Sequence, residues 1–80
     1  MATVYFSSGL ARYTDGLETV AIDAPRVREL KLALANRFPR LGEQLEHMAV
    51  AINGRIHTDA DYEVLDPAAE IHFVPRIAGG

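Results

Sequence analysis

Asp23-Ala24-Pro25-Arg26-Val27-Arg28-Glu29-Leu30-Lys31-Leu32-Ala33-Leu34-Ala35-Asn36-Arg37-Phe38-Pro39 reads as the one long helix of this 80-residue chain. Val27, Leu30, Leu34 and Phe38 recur at three- and four-residue spacing, with Ala33 beside them, which lays a single apolar stripe along one face. Pro25 suits the first helical position, where its missing N–H would have no partner anyway, and this puts Asp23 or Ala24 at the cap. Pro39 stops the helix, because the residue before a proline is pushed out of the helical region. A stripe of this width needs a sheet to lie on, so the flanks decide the fold.

Upstream, Thr3 to Ser7 alternates, with Val4 and Phe6 on one face and Thr3, Tyr5 and Ser7 on the other, the period of a strand. Thr14-Asp15-Gly16 is a turn signal in which Gly16 can supply a positive φ. Leu17 to Ile22 is a second strand with Val20 and Ile22 on its apolar face, and the two strands joined by a short connection read as a hairpin. Downstream, Leu41 to His47 is a short helical piece with Leu41 and Leu45 inward. Met48, Val50 and Ile52 then alternate with Ala49 and Ala51 as a third strand. Asn53-Gly54 is a strong hairpin signal, since a type I′ turn needs positive φ at both central residues, and Arg55 to His57 is the brief return strand. Asp59 to Asp66 forms an acidic loop. Glu70 to Arg76 is the last strand, with Ile71 and Phe73 inward, His72 and Val74 opposite, and Pro75 marking its end.

Two hairpins flanking one helix exclude a parallel doubly wound sheet, which needs a helix in each crossover. The order predicts an α+β fold of the β-grasp, ubiquitin-like kind: a mixed sheet of about five strands with one main helix packed on one face. Residues 1–80 form one domain on this reading, with a flexible C-terminal tail at 77–80.

A chain this short buries only ~60–65% of its unfolded surface, so it has little room for a deep pocket. That favours a binding module or carrier over an enzyme. The absence of cysteine excludes disulfides, thiolate zinc or iron–sulfur sites and a cysteine nucleophile. No apolar run approaches the ~18 residues of a membrane span, and the N-terminus lacks a charged region followed by an apolar signal core. A reducing cytoplasm is the expected setting, with no membrane partner. The net charge of −3 hides an asymmetry. Arg26, Arg28, Lys31, Arg37 and Arg40 cluster around the helix, whereas Glu43, Glu46, Asp59, Asp61, Glu63, Asp66 and Glu70 make the second half acidic. The acidic surface of Asp59 to Glu70, taken as lying beside an apolar patch near the tail, is expected to dock on basic partner surfaces.

Val64-Leu65-Asp66 followed by Glu70-Ile71-His72-Phe73-Val74-Pro75-Arg76-Ile77-Ala78-Gly79-Gly80 resembles the end of the MoaD/ThiS sulfur-carrier family. In that family an apolar residue and an acidic turn precede a last strand that runs through proline into an apolar residue and a terminal Gly-Gly. The resemblance covers the whole chain in element order and is sharp in sequence from about Ile52 onward. Phe73-Val74-Pro75 is most similar to the small subunit of molybdopterin synthase, although Arg76 stands where that type usually has a second proline.

The resemblance implies a protein carrier rather than an enzyme. An adenylyltransferase of the ubiquitin-activating type, using ATP, would adenylate the carboxylate of Gly80. A sulfurtransferase persulfide would then convert it to a thiocarboxylate. No permanently bound cofactor is implied. Gly79, Ala78, Ile77, Arg76, Pro75 and Phe73 are the implied tail and partner-binding residues. Glycine suits the reacting end because, without a Cβ, its backbone can approach nucleotide and catalytic groups closely. For the molybdopterin type the acceptor is a pterin precursor held with the large synthase subunit. Carriers for thiamine, cysteine or siderophore synthesis share the tail, and a ubiquitin-like protein modifier would begin with the same adenylation.

Rival signals are weaker. Asp59, Asp61, Glu63 and Glu70 match positions of a calcium loop, but Val64 stands where its sharp turn requires glycine. His47, His57 and His72 lack metal-ligand spacing, so no metal site is expected. Ser7-Ser8-Gly9 lacks the glycine that a nucleophile elbow needs before the serine. The basic helix has no interleaved aromatics, so no nucleic-acid partner is expected.

Overall fold

The computed structural model describes residues 1–7 and 9–75. The apolar stripe lies on helix α1 (Val27–Arg37), where Val27, Leu30 and Leu34 are fully buried, and Phe38 is buried just beyond its end. The helix starts later than the proline suggests. Arg26 holds the N-cap position with extended backbone and no side-chain cap. The first free N–H groups bond to a distant loop instead: Val27 N–H donates to Glu63 O at 3.2 Å and Arg28 N–H to Asp61 O at 2.9 Å. Leu65 N–H in turn donates to Pro25 O at 2.9 Å. Tertiary contact thus supplies the cap that neither Asp23 nor Ala24 provides.

Pro39 ends α1 and opens the short helix α2 (Pro39–Leu45), whose Leu41 and Leu45 are buried. The two helices approach closely at Gly42, where an added Cβ would sit 2.6 Å from Ala35 Cβ and 3.1 Å from Ala35 Cα. Because the backbone of α1 forms part of that wall, Gly42→Ala should destabilise the protein by ~1–3 kcal/mol through overpacking. Urea denaturation at equilibrium reads this directly. An unchanged midpoint would mean that the helices can separate at no cost.

Five strands form one sheet, β1 (Ala2–Tyr5), β2 (Thr19–Ile22), β3 (Met48–Ile52), β4 (Arg55–His57) and β5 (Glu70–Pro75), in the order β2-β1-β5-β3-β4. β1 and β5 run parallel, and the other neighbours are antiparallel, so the sheet is mixed. The helices cover the face that carries Val4, Val20, Val50, Ile71 and Phe73. Ala49 and Ala51 on the opposite face are buried as well. Their methyl groups are too small to rise above the flanking His72, Val74 and Ile56.

The first hairpin differs from its expected form. β1 and β2 pair as predicted, but residues 9–18 between them make an excursion with a 3-10 turn at Ala11–Tyr13, and Leu17 lies outside the strand. Leu10 from this excursion joins the core. The fully buried Thr14 hydroxyl donates to Leu17 O at 2.9 Å, and Asp15 (φ 55°) and Gly16 (φ 83°) complete the turn. Asn53 (φ 49°) and Gly54 (φ 84°) form the second turn in the conformation expected from sequence.

Base of the C-terminal tail as the candidate functional site

β5 is the middle strand of the sheet and carries the chain to the candidate site. Its register pairs Ile71 with Val4 of β1 and Phe73 with Val50 of β3; β1 holds it over Glu70–His72 and β3 over Ile71–Pro75. Tyr5 stacks on His72 with ring centroids 4.9 Å apart and planes within 9°, and the Tyr5 hydroxyl donates to Glu70 Oε1 at 3.4 Å. Pro75, the last described residue, lies opposite Met48. The expected site residues Arg76, Ile77, Ala78, Gly79 and Gly80 lie outside the described residues.

Phe73 requires a correction. The family resemblance implied a partner-binding role, yet Phe73 is only 3% exposed and sits in the core, on the inward face that its place in the alternation predicts. Its role is to fix the strand from which the tail departs.

Beside Pro75 runs a groove of about 450 Å³ lined by Leu10, Tyr13, Gln44, His47 and Met48, among others. It is built from the β1–β2 excursion and the end of α2, which the chain order alone does not bring together. The C-terminal end of α1 lies at this same end of the sheet, where the Phe6 and Phe38 rings meet edge-on at 6.3 Å.

The acidic segment requires a second correction. Glu70 begins β5 and Pro75 ends it, so about 17 Å of strand separates the two ends at ~3.3 Å per residue. Asp61 and Glu63 lie against the start of α1, and Lys31 Nζ is 2.9 Å from Asp61 Oδ1. Asp61 therefore offsets the basic helix, and Glu70 lies a strand's length from Pro75. His57 Nδ1 is 3.7 Å from Glu63 Oε1. Among the described residues no group of three or more His, Asp or Glu side chains is placed to hold a metal ion, and no helix is long and apolar enough to cross a membrane.

Comparison with known proteins places this geometry. The model of the ThiS family matches residues 7–80. No curated protein matches the sequence. Among solved structures, the BexX/CysO complex of Amycolatopsis orientalis contains a chain that aligns with a TM-score of 0.85 at 18% identity, over 100% of both chains. The small archaeal modifier protein 1 of Methanosarcina acetivorans aligns at 0.81 and 19% identity, covering 99% of this chain and 95% of that one. A Pyrococcus furiosus protein described as molybdopterin converting factor, subunit 1, aligns at 0.75 and 19% identity, covering 95% and 97%. At such identities the likeness shows the fold, which is the ubiquitin-like β-grasp.

Proposed function

Because this chain belongs to the ThiS family, we propose that it is a sulfur carrier whose reacting group is the carboxylate of Gly80. The observation that carries this reading is the reach of the family match, which runs through Gly79-Gly80. The pairing of β5 with β3 as far as Pro75 supports it, because it fixes the point in the sheet from which the chain continues. From Pro75 to Gly80 the chain can extend at most ~18 Å at up to ~3.6 Å per residue, enough to enter a partner's channel while the domain stays outside.

The cycle has three steps. A Gly80 carboxylate oxygen attacks the α-phosphorus of ATP on the activating enzyme, and pyrophosphate leaves. The terminal sulfur of a sulfurtransferase persulfide then attacks the carbonyl carbon and displaces AMP. Thiol reduction of the resulting acyl disulfide leaves a thiocarboxylate on Gly80. The carrier is a co-substrate in this cycle and supplies no catalytic side chain of its own.

Phe73-Val74-Pro75 favours the molybdopterin type, in which a large synthase subunit would receive the loaded tail and a pterin precursor would take the sulfur. The test is an intact-mass measurement on protein purified from its native host. A population heavier by the difference between a sulfur and an oxygen atom is expected, and it should vanish when the activating enzyme is deleted. Lysine-linked conjugates with no such species would instead assign a modifier role. Reconstitution with a molybdopterin synthase large subunit then tests the pathway. Dithiolene formation is the expected result, and its absence would move the carrier to the thiamine, cysteine or siderophore branch.

A further inference from the structure

Resting on the carrier reading, we infer that an arginine-framed pocket at the tail end of the domain docks an acidic protein surface surrounding the channel of the enzyme that activates Gly80. Arg12, Arg37 and Arg40 come from the β1–β2 excursion, the last turn of α1 and the first turn of α2. They line one pocket of about 430 Å³ with Tyr13 and Phe38. Two of the guanidinium groups rest on aromatic faces, Arg12 at 5.9 Å from the Tyr13 centroid and Arg37 at 5.1 Å from that of Phe38. Such stacking limits the rotamers that a docking partner would otherwise have to order.

Convergence on one pocket, more than the lack of ion pairs, sets this cluster apart, because among the described residues Arg26 and Arg55 form none either. At the other end of α1, Arg28 lies 3.9 Å from Glu29 and Lys31 2.9 Å from Asp61. Among the described residues, Arg12, Arg37 and Arg40 form no ion pair, and Asp15 is the only carboxylate lining their pocket. Within a chain of net charge −3, this pocket thus gathers three guanidinium groups against one carboxylate. Arg12 and Tyr13 line both this pocket and the groove beside Pro75, so the basic surface continues to the base of the tail.

Reach gives the partner. With at most ~18 Å of chain between Pro75 and Gly80, an enzyme that binds Gly80 must bring the rim of its channel against this pole. Opposed charge there accelerates encounter and sets the orientation in which the tail enters. The complement that fits three unpaired guanidinium groups is a cluster of aspartate and glutamate side chains.

The experiment compares full-length charge variants in ATP–pyrophosphate exchange with the ubiquitin-activating-type enzyme of the same host. Arg12→Glu/Arg37→Glu/Arg40→Glu is expected to raise the KM for the carrier at least tenfold and to leave kcat unchanged. Its association rate should also lose most of its dependence on salt. Arg26→Glu/Arg28→Glu/Arg55→Glu makes the same change in net charge at the opposite pole and should leave KM within about twofold, because screening confines the effect to nearby charges. The neutral set Arg12→Gln/Arg37→Gln/Arg40→Gln, milder towards folding, should raise KM to a lesser degree. Wild-type turnover with KM unchanged in both the Glu and Gln sets overturns the docking proposal and leaves the carrier reading standing. Equal effects from the two poles overturn it too, as does salt-sensitive self-association of the wild type that the variants abolish, which would assign the pocket to a second copy. A wild-type chain that the enzyme never adenylates overturns the carrier reading and the docking proposal together.

Discussion

Deleting Gly80 should abolish ATP–pyrophosphate exchange with the activating enzyme and leave the melting curve where it was. Val4, Leu30, Leu34, Leu41 and Ile71 are fully buried within the described residues, whose last strand ends at Pro75. A terminal glycine contributes no side chain to such a core, so its loss costs stability almost nothing. Its loss moves the reacting carboxylate back by ~3.5 Å, and displacements of even ~1 Å can cost a hundredfold where rate depends on positioning. Adding one residue after Gly80 should be equally damaging, because it pushes the carboxylate onward and puts a side chain where the channel admits none. Exchange assays paired with circular dichroism separate chemistry from folding. A folded, truncated protein that still supports sulfur transfer at the normal rate would refute the carrier reading.

Leu34→Ala should be among the costly core substitutions for stability. Leu34 is 0% exposed on the sheet-facing side of α1, between the turn of Leu30 and that of Phe38. Removing its side chain forfeits burial and leaves a cavity that helix and sheet cannot both collapse into, at a cost of ~2–4 kcal/mol. A domain of this size holds ~4–12 kcal/mol in total, so a large share goes. On the order of 10–30 °C should be lost from the melting temperature. A shift of less than about 4 °C would mean that the stripe is not the centre of the core.

Much of this architecture was legible from local rules. The strands announced themselves by alternation of Val4, Phe6, Val20, Ile22, Ile71 and Phe73, and the helix by the spacing of Val27, Leu30, Leu34 and Phe38. Asn53-Gly54 named its own turn because few residues tolerate the φ it needs. Such signals are readable because side-chain direction repeats with the backbone's own period, which needs no knowledge of distant residues. The family was equally legible in the last residues, and the family match reaches Gly80 although Arg76 departs from the proline of the molybdopterin type.

Other features belong to the tertiary structure alone. The start of α1 is set by the carbonyls of Asp61 and Glu63, more than thirty residues downstream, so no cap rule applied to residues 23–25 could locate it. The β1–β2 connection is held by a buried threonine hydroxyl and a core leucine, where turn chemistry pointed to something shorter. The acidic segment precedes the tail in sequence yet lies at the far end of β5, because a strand separates its two ends in space by its full length. Arg12, Arg37 and Arg40 come together only because the parallel β1–β5 pair and the crossing helix bring the ends of three elements to one pole. Periodicity determined which faces are apolar. Which charges become neighbours depended on how the chain crosses the sheet, a property of the whole fold that no local window contains.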